Sequence, residues 1–186
     1  MADIKESKLD FCRVKKIFDK GFGFLSSLYS NEPVFFHFNN IKNEDAREKL
    51  NKMKRGAIIL YYTSIIFKGK RRVYRVWLDV KDIDKELIPD FIETILLELN
   101  YGMYNVYDLA HALKELKNYN YITKEVFTKI LNKHKVIKNP YIIKAILNDD
   151  DFQRFENFEN LCDSVADGKI QKHEFDKEVL GKIFPG

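Results

Sequence analysis

Two segments, Lys20-Gly21-Phe22-Gly23-Phe24-Leu25 and, after a short polar stretch, Val34-Phe35-Phe36-His37-Phe38, hold the residues whose types and spacing could do chemistry. On a β-strand alternate side chains share a face. Read as neighbouring strands, these segments put Phe22 with Phe24, and Phe35 with His37, on one outward face. Leu25, Val34 and Phe36 then point into a core, and Gly21 and Gly23 fall on the inward side, where a tightly curved small barrel has little room. Both faces carry large apolar groups, yet only one can lie inside a single barrel. Exposed rings beside lysine suit stacking on unpaired nucleic-acid bases at about 1–3 kcal/mol per base, with phosphate contacts adding a salt-dependent contribution.

Covalent chemistry is not indicated. His37 has no carboxylate or nucleophile at a telling spacing, so stacking and hydrogen bonding are its expected roles. His111, His134 and His173 are scattered over helical stretches. No His/Cys pair has zinc-ligand spacing, no Gly-rich loop opens a helix and no nucleophile elbow appears. The chain therefore reads as a binding protein rather than an enzyme, with no cofactor.

One further motif follows metal-ligand spacing. Asp163 to Glu174 places carboxylates at positions one, five (Asp167) and twelve of an EF-hand-like calcium loop, with Gly168 at six and Ile170 at eight. Position three is Val165, which has no side-chain oxygen, and no second loop exists to pair with it. The plainer reading has Gly168 closing one helix, Ile170 packing inward and Glu174 helping to cap the next. The Ala-Asp-Gly-x-Ile-x-x-x-Glu run also resembles an interhelical joint in the helical domain of bacterial tellurite-resistance proteins.

The elements that must position these residues fall into two halves. Residues 1–83 carry 18 Lys and Arg against 10 Asp and Glu, a net +8, and residues 84–186 carry 14 against 18, a net −4. A basic module preceding an acidic one fits phosphate binding by the first. After Asp79 the hydrophobic period changes from two to helical, which sets the boundary at 82–85. Helices are expected over 89–100, 106–117, from the Thr123 cap through Leu131, over 141–147, from Asp149, and over 172–183. A stretch over 46–54 also reads as helical, with Lys52, Lys54 and Arg55 on a solvated face. Cys12 and Cys162 lie far apart in different halves, so no disulfide framework is read from them and a reducing compartment is the simpler expectation. The first residues resemble neither a signal nor a transit peptide. The longest mostly apolar run, 57–67, is much shorter than the roughly 20 residues of a membrane helix. A soluble, cytoplasmic protein is expected, with no membrane partner.

At the two aromatic segments, and over residues 11–80 more broadly, the chain resembles the cold-shock domain family. Its members are five-stranded OB-type β-barrels that bind single-stranded RNA and DNA. The resemblance implies a stacking group of Phe22, Phe24, Phe35, His37 and Phe38, with Lys20 near the nucleic-acid backbone; Lys15 falls on a family lysine and, with Lys16, is counted among the nucleic-acid-binding residues. The first strand departs from the family's Val-Lys-Trp-Phe-Asn and is about one residue shorter. Its stacking tryptophan is replaced here by Lys16 or, with the gap elsewhere, by Ile17 or Phe18, which implies weaker binding. Residues 57–63 and 72–78 read as the last two strands. Lys68-Gly69-Lys70-Arg71 forms a basic turn between them, and Arg72 and Arg75 continue the charge. The apolar run Ile65-Ile66-Phe67 has no counterpart in the resemblance.

The expected architecture is thus a cold-shock-like OB barrel over 1–83 followed by an all-α domain over 84–186. The expected function is single-strand binding, acting as an RNA chaperone or transcript regulator. One alternative is an RNA-targeted adaptor whose helical domain binds a protein partner. Another is a calcium-responsive binder using Asp163, Asp167 and Glu174.

Overall fold

Period-two alternation builds the strands β1 (Asp10–Arg13), β2 (Phe22–Leu25), β3 (Val34–His37), β4 (Ile59–Phe67) and β5 (Lys70–Trp77). The computed structural model describes residues 5–14, 17–18, 20–41, 44–52, 58–101 and 105–185. The chain divides into two units, Met1–Phe91 and Ile92–Gly186.

In the first unit the five strands form one curled sheet, a half-barrel, in the order β1-β4-β5-β3-β2. Neighbours are antiparallel except β3 and β5, which run parallel. The concave side is filled by Cys12, Leu25, Val34, Phe36, Leu60, Tyr62 and Val73, with Leu50 added from helix α1 (Glu44–Lys52).

The β4–β5 hairpin is longer than its sequence suggests. Its turn is only Lys68-Gly69, with φ of 50° and 77°. Two successive residues at positive φ give a two-residue hairpin whose twist matches the flanking strands. Lys70 and Arg71, expected in the turn, are therefore on β5, and Ile65-Ile66-Phe67 continues β4. A bulge between Thr63 and Ser64 leaves Tyr74 unopposed, so Val73 and Val76 both turn toward the core.

Between β1 and the end of β2, side chains stitch the sheet. Asp10 is only 1% exposed. Its carboxylate accepts from the Ser27 hydroxyl at 2.5 Å and from the backbone N–H groups of Phe11 at 2.9 Å and Leu28 at 3.0 Å. The Tyr29 hydroxyl donates to the Leu9 carbonyl at 3.0 Å and that of Tyr62 to the Ser26 carbonyl at 2.8 Å.

The second unit is helical. Helix α2 (Ile88–Tyr101) leads into it, followed by α3 (Val106–Asn118), α4 (Lys124–Leu131), α5 (His134–Lys138), α6 (Tyr141–Ile146), α7 (Asp149–Gln153), α8 (Phe158–Ala166) and α9 (Lys172–Ile183). Caps explain the starts. The Asn105 side chain accepts from Tyr107 N–H, Thr123 from Val126 N–H, and Asn148 forms a reciprocal capping box with Asp151. Asp151 is also buried in an ion pair with Lys117, so the acidic triplet that opens α7 supports packing as well as the helix dipole. The five-residue α5 is too short to show periodicity. Among the described residues, no helix is long and apolar enough to cross a membrane.

Burial pushes the Asp10 carboxyl up from 3.8 to about 6, against the opposing effect of its hydrogen bonds. A carboxyl with a raised folded pKa holds its proton more tightly when folded. This contribution is present below 3.8 and fades as the pH rises through about 6. Wild type should therefore lose about 2 kcal/mol relative to Asp10→Asn between about pH 4 and about pH 7. Urea unfolding of both proteins across that range checks this, and a pH-independent difference would contradict it.

Candidate nucleic-acid interface

The register of β2 on β3 opposes Phe22 to His37 and Phe24 to Phe35, with Gly23 to Phe36 and Leu25 to Val34 between them. Leu25, Val34 and Phe36 are buried, whereas Phe22, Phe35 and His37 are half-buried and Phe24 is 53% exposed. The outward rings touch one another. Phe22 and Phe35 lie 5.9 Å apart at 30°, and Phe24 meets Phe35 at 5.9 Å and 67°. These are the separations of favourable ring pairs.

Phe18 completes the row. Its ring stacks on Phe22 at 4.8 Å and 15° and is 37% exposed. Of the three residues open for the missing tryptophan, Ile17 packs against the core of the sheet and Lys16 lies outside the described residues. Phe18 is thus the described residue that adjoins Phe22. The chain's single tryptophan, Trp77, lies instead beneath Arg75, whose guanidinium is 5.2 Å from its ring.

A tight turn makes this stack possible. Gly21 N–H donates to the Phe18 carbonyl and Phe18 N–H to the Phe22 carbonyl, each at 2.8 Å. Gly21 has φ of 80°, and a Cβ there would stand 2.9 Å from the Phe38 ring. Phe38 itself, grouped with the stacking rings by resemblance, packs against the core and lies against Gly21 instead. Alternation carried one residue past His37 puts Phe38 on the inward side with Val34 and Phe36, and residues 38–40 form a 3-10 turn.

His37 is held by its edge. Asn39 N–H donates to Nδ1 at 3.0 Å, which makes Nε2 the protonated nitrogen, and Nε2 donates to the Lys20 carbonyl at 3.1 Å. Both ring nitrogens are engaged, so the ring face is what remains for a ligand.

The basic residues separate into groups. Lys20 is exposed at the turn, and Lys15 and Lys16 lie outside the described residues. Lys68 Nζ sits 5.4 Å from the Phe67 ring, and Lys70 is exposed opposite Phe67. Arg71 pairs in register with Ile66, on the face opposite Arg72, and donates to Ser64 Oγ at 3.0 Å. Arg75 is bound by Glu6 and Asp84, each at 2.6 Å. The hydrogen bond it donates to Glu6 is the main cause of its raised pKa, and its charge is compensated.

Sequence reasoning missed the combination of Arg72 and Phe67. Arg72 stands opposite Phe35, with its guanidinium 6.0 Å from that ring and 5.1 Å from Phe67. The signal was present in the Lys68-Gly69 pair, which as a two-residue turn extends strand alternation back to Phe67.

The calcium-like spacing is not gathered into a site. Helix α8 continues through Ala166, and its end is closed by Gly168 N–H to the Val165 carbonyl and Lys169 N–H to the Ser164 carbonyl. Asp163 lies inside that helix and accepts from the Tyr141 hydroxyl. Among the described residues no group of three or more His, Cys, Asp or Glu could hold a metal ion.

Compared with protein-family models, curated proteins and solved structures, the chain finds no match.

Gly21→Ala should destabilise the first unit by about 2–4 kcal/mol, from the strain of a left-handed alanine plus overpacking against Phe38. Denaturant unfolding measures this, and an unchanged midpoint would contradict the close approach.

Proposed function

We propose that the first unit is an OB-type barrel of cold-shock type that binds single-stranded RNA or DNA. The observation that carries this reading is the aromatic row itself. Phe18, Phe22, Phe24 and Phe35 lie in ring-to-ring contact on the convex side of the sheet. Exposed apolar clusters of this kind mark interaction sites, and flat rings flanked by cations suit bases attached to phosphates. The strand order supports the same reading. A β1-β4-β5-β3-β2 sheet with a parallel β3–β5 pair is what an OB barrel opened between its first two strands would give. In such folds the β2–β3 face takes up oligonucleotides.

The mechanism requires no covalent step. Stacking on the rings and neutralisation of phosphates by Lys20, Lys68 and Lys70 stabilise unpaired strands by mass action, so RNA structure is opened in proportion to protein concentration. The engaged nitrogens of His37 leave stacking as its contribution, which favours broad rather than base-specific recognition. A cytoplasmic role in opening or regulating transcripts follows from this reading.

A specific observation favours the adaptor as a second reading. In the helical unit Tyr107 and Ile137 are exposed, and Asn139 Nδ2 donates to the Tyr107 hydroxyl at 3.2 Å while its Oδ1 accepts from Tyr141 N–H at 3.2 Å. A protein held there should be lost on Tyr107→Ser or Ile137→Ser in the full chain and retained after nuclease treatment.

Titration of the full chain with fluorescent oligo-U and oligo-T should show binding that weakens with salt. Phe22→Ala and Phe35→Ala should each cost about 1–3 kcal/mol. Absence of wild-type binding, or binding indifferent to both substitutions, would remove the single-strand reading.

A further inference from the structure

The β4–β5 hairpin runs past the β2–β3 ring cluster, and its overhang repeats that cluster's chemistry. Phe67 is 49% exposed. Its ring carries Arg72 at 5.1 Å and Lys68 at 5.4 Å. The register places Ile65 opposite Arg72 and Phe67 opposite Lys70, and Arg72 in turn opposite Phe35. Phe24, Phe35, Arg72 and Ile65 therefore form one cross-strand row over β2, β3, β5 and β4, with Phe67 and Lys70 in the next row toward the turn. A guanidinium is planar and stacks on aromatic faces, including those of bases.

We propose that Arg72 and Phe67 form a second stacking subsite, continuous with the first, that takes additional nucleotides of a bound single strand. This rests on the single-strand reading above and extends its footprint. Arg72 bridges the two clusters as a plane on which a base can lie. Phe67 offers the next ring, and Lys68 and Lys70 flank it with charge for the phosphates. Arg75 is excluded by its two carboxylate partners, so the strand is directed along the hairpin, away from Glu6 and Asp84. Recognition of this type is tolerant of sequence and depends on length.

The test uses the full chain and labelled oligo-dT of about 4 and about 8 nucleotides, a span within the usual site sizes of such barrels. Wild type should bind the longer strand more tightly. Phe67→Ala should weaken the longer strand on the order of tenfold while leaving the shorter within about twofold. Arg72→Lys keeps the charge but loses the plane, so it should show the same length-selective loss with an unchanged salt dependence. Because Phe67 is exposed at a turn, its variant should keep the wild-type unfolding midpoint. Equal affinity of wild type for both lengths, or a Phe67→Ala effect that is absent or equal on both, overturns the subsite and leaves the single-strand reading standing. Failure of wild type to bind either length overturns both.

Discussion

The aromatic face depends on a close approach at Gly21. The chain reverses there at positive φ, with the Phe38 ring where a side chain would begin. Three consequences meet at this point. Phe18 is brought back onto Phe22, the Phe38 ring is drawn toward the core, and Gly21's carbonyl accepts Phe38 N–H at 2.8 Å. The neighbouring Lys20 carbonyl receives Nε2 of His37. A residue without a Cβ thus lets the chain turn closely enough for Phe18 to stack on Phe22 and for Phe38 to lie against the turn.

The convex side of the sheet divides into a covered end and an open end. At the covered end Phe11 and Tyr61 are buried under Phe91, at 5.8 and 6.1 Å between ring centroids. Arg75 there is bound by Glu6 and Asp84. At the open end the rings of β2 and β3 meet Arg72, whose guanidinium lies against Phe35 and Phe67. Two arginines three residues apart on one strand thus have opposite fates. Net charge by itself could not separate them, because a compensated guanidinium adds little to the field that draws in phosphate.

Among the described residues of the helical unit one charged group is buried, the Asp151 carboxylate. Asp151 serves the Asn148 capping box and Lys117 together. Isolated charges would be costly inside, but a paired and hydrogen-bonded carboxylate can be accommodated. The spacing from Asp163 to Glu174, read for its chemistry, is likewise a helix joint whose backbone carbonyls are satisfied locally.

By itself the sequence determined what local rules control. Period-two alternation placed Phe22, Phe24, Phe35 and His37 on one face of the strands and Val34 and Phe36 on the other. Capping residues and helical periodicity located α3, α4 and α9 to within about a residue at each end. A sheet followed by helices was legible for the same reason. What only the tertiary structure decided was where non-local contacts override those rules. Phe18 joins the face because the turn at Gly21 closes. Arg72 and Arg75 part company because Glu6, distant in sequence, and the nearer Asp84 reach Arg75, whereas among the described residues Arg72 meets the rings of Phe35 and Phe67. Register and turn type set these outcomes, and both depend on contacts between residues far apart in the chain.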